Sequence, residues 1–150
     1  MTDPISELAS RLPGPWDVIV GIPRGGLIVA AGLGYALGVS KVGAHSRHYH
    51  RGDDGKPVLG SNYAVVRSRP GQRVLLVEDA TVTGTLLQAA WSHYANRGAR
   101  VTTAAIWITK GEAYRPDVWL HEVDQVPPGR ALIIPGRAPA ASPVAGEETR

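Results

Sequence analysis

Cysteine is absent from all 150 residues. That excludes disulfides, zinc–thiolate sites and cysteine nucleophiles. A run of about 18 apolar residues is also missing, so no membrane-spanning helix is expected. The opening MTDPISELASRLPG carries two acids and no apolar h-region. No secretory leader is read there, and a cytoplasmic location is the default. Charge of one sign is scarce as well. The net charge of +3 is too small for the dense basic stripe of a nucleic-acid-binding domain. SRHYHR and RSRPGQR are short basic stretches that read as solvated loops. No internal repeat is visible.

What is present is a composition of 43% hydrophobic and 19% charged residues, ordinary for a soluble globular chain. The length suits one domain with its own core. Of the 16 basic residues, 13 are arginine, whose planar fork grips two phosphate oxygens at once.

Strand and helix patterns alternate along the chain. ISELASRL reads as a short helix within 1–15, closed by PGP. WDVIVGI (16–22) is a β-branched run that predicts a buried strand. LIVAAGLGYALG (27–38) predicts a helix ending at a glycine C-cap. KVGAHS (41–46) predicts the next strand, and the polar 47–61 a loop or mobile hairpin. NYAVVRS (62–68) and RVLLVE (73–78) predict strands. Residues 83–97 predict a helix with Leu87, Ala90, Trp91 and Tyr94 on one face and Gly98 as its C-cap. RVTTAAIWI (100–108) and ALIIP (131–135) predict two further strands. The tail 138–150 is poor in large apolar residues and reads as disordered. The expected fold is α/β: a doubly wound, mostly parallel sheet flanked by helices.

Ligands of such sheets bind beyond the carboxyl ends of the strands. Two glycine-bearing breaks fall there. In EDATVTGT the chain runs into a helix N-terminus, where free N–H groups and the dipole favour an anion. Thr83 and Thr85 add hydroxyls, and Gly84 permits close approach. Glu78 and Asp79 suit hydrogen-bond donors such as ribose hydroxyls, or a hydrated Mg²⁺. On these residues alone two readings stand: a phosphate cup beside a diol site, or a threonine helix cap beside solvated acids. GIPRGG offers two glycines and the Arg24 fork, or else a plain strand–helix turn. GLGYALG (32–38) mimics a dinucleotide fingerprint but lies inside the apolar helix, where a packing role is expected. His45, His48 and His50 with Asp53 and Asp54 do not match a structural zinc spacing, and read as part of the polar loop.

VLLVEDATVTGT resembles the phosphoribosyl pyrophosphate (PRPP) signature of type I phosphoribosyltransferases: apolar residues, two acids, then a loop ending in Thr-Gly. GIPRGG resembles the pyrophosphate loop of that family, and 47–61 stands in place of its flexible catalytic loop. The resemblance implies that Glu78 and Asp79 hold the ribose hydroxyls and, with them, Mg²⁺. It implies that Val82, Thr83, Gly84 and Thr85 hold the 5-phosphate. Arg24 and Gly25 would bind pyrophosphate, with a cis peptide before Arg24. Homodimers are usual in the family.

Residues 110–137 resemble the C-terminal hood of the xanthine/hypoxanthine/guanine branch. Lys110 stands where that branch reads the purine 6-oxo group, and Pro116-Asp117 matches its Pro-Asp. Two positions depart from the branch. Val82 replaces an Asp near the base, and Ala131 replaces a stacking aromatic. Trp107, Trp119 and Tyr114 are alternative stacking surfaces or packing residues. The implied domain is 1–137. A 6-oxopurine acceptor, another acceptor such as orotate, and a non-catalytic ligand-binding role all stay open.

Overall fold

The computed structural model describes residues 3–51, 53–55, 57–64 and 66–124, with 47–51 and 57–64 described as backbone. The elements are α1 (Pro4–Ser10), β1 (Val18–Gly21), α2 (Gly25–Leu37), β2 (Val42–Arg51), β3 (Pro57–Ala64), β4 (Arg73–Thr81), α3 (Thr85–Ala95), β5 (Arg100–Thr109) and β6 (Val118–Val123). They form one six-stranded sheet in the order β3-β2-β1-β4-β5-β6. All neighbouring pairs are parallel except β2 and β3.

Local chemistry explains the helices. Asp3 caps α1, its Oδ1 accepting from the amides of Ile5 at 3.0 Å and Ser6 at 3.1 Å. Pro4 sits at the first turn, where its missing N–H costs nothing. α2 ends at Gly38, whose φ of 68° closes the helix through amide contacts to Gly34 and Tyr35 carbonyls. The glycines inside α2 are packing devices, as the sequence suggests. A Cβ on Gly32 would meet Ile5 at 2.6 Å, and one on Gly34 would meet Val42 at 2.8 Å.

Strand alternation splits the core into two layers. On one side Ile19, Leu75, Val77 and Ala104 meet Leu8, Val29 and Leu33 from α1 and α2. On the other, Val18, Val20, Val74 and Leu76 meet Leu87, Ala90 and Tyr94 of α3. Trp91 does not join them. It is 39% exposed, on the outer side of α3.

Several boundaries differ from the sequence reading. β2 runs past the expected 41–46 to Arg51 and pairs with β3 in an antiparallel hairpin, the second of the two readings given for 47–61. The strand expected at 62–68 lies at Pro57–Ala64 instead, because its register is set by β2 and not by its own apolar run. β6 was not expected as a strand. It falls in the stretch read as hood and pairs with β5 along the sheet edge. The strand at 131–135 and the tail 138–150 lie outside the described residues.

Candidate active site

The sheet order reverses between β1 and β4. From β1 the chain first builds outward through β2 and β3, then returns to β4 on the other side of β1 and continues to β5 and β6. A reversal of this kind opens a crevice at the carboxyl ends of the two central strands. Both sequence-predicted loops leave from it. Gly21 at the end of β1 lies in register with Val77 near the end of β4.

Close backbone approach joins the two loops. The Ile22 amide donates to the Val77 carbonyl at 2.9 Å. A Cβ on Gly26 would stand 2.7 Å from the Val77 oxygen and 3.3 Å from the Glu78 Cα. On Gly21 it would stand 2.4 Å from the Gly26 oxygen. Only glycine fits either place. The Pro23–Arg24 peptide is cis, as the family resemblance implies. Arg24 is exposed at the start of α2, which has no side-chain cap and no acid in its first turn. That leaves the helix N-terminus suited to an anion.

α3 begins in the same manner. Gly84 stands at its N-cap with φ of 75°, and its first turn is free of acid. Thr83 and Thr85 are exposed, with their hydroxyls 2.9 Å apart. Thr83 Oγ1 also accepts from the Thr85 amide at 3.3 Å, so it has the local capping contact that the alternative reading required. Val82 is 57% exposed beside them.

The acids lie just before this loop. Glu78 is only 9% exposed, and Asp79 is half-buried. Burial pushes the Glu78 carboxyl up to about 8, with further upward pressure from the charges of Asp79 and then Glu112. Glu112 was not singled out in the sequence. It is 9% exposed, and its carboxylate accepts a short hydrogen bond from the Thr81 hydroxyl. Burial raises its carboxyl too, partly offset by that hydrogen bond. A single Glu in a polar connection carries no periodicity or motif that would have marked it.

The stretch after β5 closes over the loop. The Tyr114 amide donates to the Thr83 carbonyl at 3.4 Å, and a Cβ on Gly84 would stand 2.1 Å from the Tyr114 oxygen. Tyr114 is half-buried and packs on the α3 layer of the core. Trp107 stacks on His121 with ring centroids 4.4 Å apart, and the Arg115 guanidinium lies 4.7 Å from the Trp119 ring. Asp117 Oδ2 accepts from the Thr103 amide at 2.8 Å and from its hydroxyl at 3.0 Å, pinning the entry to β6. Lys110 lies directly after β5, at its carboxyl end. It is ion-paired with Asp124 at 2.8 Å, a contact that raises its pKa. His45 is buried against the His93 and Tyr94 rings, at centroid distances of 4.9 and 5.4 Å. Ala131 lies outside the described residues.

Residues 3–127 match the model of the phosphoribosyl transferase domain. The chain belongs to that family. An adenine phosphoribosyltransferase of Rhodospirillum rubrum is 36% identical over 110 residues, covering 67% of this chain and 61% of the relative. The transcriptional regulator GfcR of Methanocella arvoryzae is 27% identical over 115 residues, covering 73% of this chain and 54% of the regulator. The chain thus spans little more than half the length of these curated relatives. The crystal structure of a purine phosphoribosyltransferase from Pyrococcus horikoshii superposes with a TM-score of 0.70 at 27% identity, covering 81% of this chain and 82% of that one. Helicobacter pylori xanthine-guanine-hypoxanthine phosphoribosyltransferase has a TM-score of 0.69 at 15% identity and shares the fold. Among the described residues no helix is long and apolar enough to cross a membrane.

Proposed function

We propose that the protein is a Mg²⁺-dependent phosphoribosyltransferase that moves the phosphoribosyl group of PRPP to a nucleobase, with release of pyrophosphate. The observation that carries this reading is the pairing of two acid-free helix N-termini across one crevice, with Glu78 and Asp79 at the end of β4. A ligand with phosphate at both ends and a diol between them matches that distribution of charge.

In the reaction the bond from ribose C1 to the pyrophosphate oxygen breaks, and its electron pair leaves with pyrophosphate. A base nitrogen forms the new bond to C1 and loses its proton. The sugar passes through an oxocarbenium-like state, so the protein must hold it in place and neutralise the leaving group. Glu78 and Asp79 accept from the ribose hydroxyls. The 82–85 backbone, with Thr83 and Thr85, holds the 5-phosphate. Arg24 and the Gly25 amide hold pyrophosphate. The β2–β3 hairpin closes over the site and excludes water, which would otherwise hydrolyse the sugar phosphate. Two adjacent carboxylates fit Mg²⁺, which is commonly bound by one or two carboxylates plus substrate phosphates. Bound there, the ion would neutralise charge on the leaving group.

The acceptor we favour is a 6-oxopurine, read by Lys110, in a salvage role. A second acceptor class, such as orotate, is favoured by Val82. This apolar side chain is 57% exposed at the loop where 6-oxopurine enzymes carry an acid. Non-catalytic binding of PRPP or a nucleotide is the remaining alternative, and the similarity to a transcriptional regulator supports it. The protein is taken to work as a cytoplasmic homodimer, and sedimentation at working concentration measures the assembly.

The deciding experiment is Mg²⁺-dependent pyrophosphate release from PRPP with xanthine, guanine, hypoxanthine, adenine, orotate and uracil in turn. Release with one base establishes the transferase and its acceptor. PRPP binding without release from any base supports the regulatory reading.

A further inference from the structure

Glu112 stands out among the buried polar groups. The last residue of β4, Thr81, is 2% exposed and directly precedes the loop 82–85. Its hydroxyl donates to Glu112, which comes from the connection between β5 and β6, 31 positions along the chain. The second carboxylate oxygen, Oε1, is buried with no hydrogen-bond partner among the described residues. A carboxyl group in that state is costly to a fold, and an apolar residue would serve packing better. Two residues on, Tyr114 donates its amide to the Thr83 carbonyl and lays its own carbonyl over Gly84. Residues 112–114 therefore grip both the entrance and the crown of the loop. The hydroxyl of Thr109, at the end of β5, adds a contact to the Thr81 carbonyl at 3.2 Å.

We propose that Glu112 is a positioning residue for the phosphate loop. Through Thr81 it fixes the direction in which the 82–85 backbone leaves β4, and it joins that loop to the segment beginning at Lys110. The inference rests on the reading of 82–85 as the 5-phosphate site. Glu112 touches no substrate. It acts by holding the amides of the loop in one arrangement before the ligand arrives, so that the ordering cost is not charged against binding.

Three variants test it. Glu112→Gln keeps an acceptor for the Thr81 hydroxyl, Glu112→Leu removes it, and Thr81→Val removes the donor at nearly constant shape. Two measurements are made on each full chain: amide hydrogen exchange across 82–86, without ligand, and PRPP affinity by titration. Glu112→Leu and Thr81→Val should each speed exchange in the loop and weaken PRPP binding about tenfold, as loss of one well-placed hydrogen bond allows. Glu112→Gln should restore both to near the parent values. Exchange in β1 and in residues 74–77 of β4 should not change. The Thr81→Val/Glu112→Leu double variant should be no worse than either single one, because both remove the same contact. Fully additive effects, or loop exchange equal to the parent in Glu112→Leu and Thr81→Val, would overturn the proposal. If the parent binds no PRPP while the exchange pattern appears as expected, the positioning role stands and the assignment of the loop to phosphate falls. Thr81→Val keeps the test open should Glu112→Leu fail to fold.

Discussion

At the scale of single residues, the candidate site sets two acids directly before a loop and helix start suited to an anion, and its predictions are electrostatic. Asp79→Asn should weaken PRPP binding by roughly tenfold through loss of a charged acceptor, and Thr83→Ala by roughly threefold to tenfold through loss of a neutral hydroxyl. Isothermal titration of both variants checks this, and parent-like affinity in both would remove the ribose and phosphate assignments together. Glu78 supplies the pH dependence. In the unfolded chain its carboxyl ionises near 4.5, whereas burial and then the Asp79 and Glu112 charges hold it protonated up to about 8 in the fold. Between those values the folded state binds more protons than the unfolded one, so stability falls as pH rises through the window and levels off above it. Urea midpoints of the ligand-free protein from pH ~5 to ~8.5 should show that decline, and Glu78→Gln should flatten it.

The grouping of the candidate residues was legible beforehand. Glu78, Asp79, Thr83, Gly84, Thr85 and Arg24 stand in two compact stretches, and the fold brings both stretches to adjacent strands. Glu112 was illegible because its partner Thr81 is far away in sequence and neither belongs to a motif. Trp91 misled for a related reason. Its spacing matches the buried face of α3, yet the helix presents only Leu87, Ala90 and Tyr94 to the sheet.

At the scale of elements, the two loops depend on how tightly each helix start sits on the neighbouring strand. Gly26 is the contact point between α2 and β4. Gly26→Ala would force its methyl against the Val77 carbonyl and should cost about 1–3 kcal/mol, the range for overpacking a tight site. Chemical denaturation gives the value. The same variant should lose pyrophosphate affinity more than 5-phosphate affinity, since it displaces the Arg24 turn and leaves α3 in place. Element boundaries were least legible where pairing sets them. β2 and β3 are long because they pair with each other, and polar residues in both hid this from hydrophobic patterning. VWLHEV was overlooked because β6 lies at the sheet edge and is nowhere fully buried, so charged and apolar residues mix along it.

For the whole molecule, the parallel α/β architecture was expected from strand–helix alternation, and the two-layered core shows why that inference works. Leu75 and Leu76 are consecutive and both fully buried, one under α1 and α2, the other under α3. A strand covered on both faces must be apolar throughout, which is how 74–77 announces itself as central. Leu75→Ala and Leu76→Ala should each cost about 2–5 kcal/mol by leaving a cavity in separate layers. Thermal or urea unfolding of each variant measures it. A loss confined to one of them would mean that only one layer is closely packed.

Gly38 on one side and Gly21 and Gly26 on the other meet two different demands, which a saturation library would separate by survival. Gly38 ends a helix with open space around it, so its requirement is for backbone torsion alone, and asparagine should persist there. Gly21 and Gly26 have ordinary torsions and no room, so nothing larger than a hydrogen should persist at either. Under a selection for folded protein, counts of surviving clones at Gly21 and Gly26 would trace the floor of the crevice with no ligand or substrate in hand.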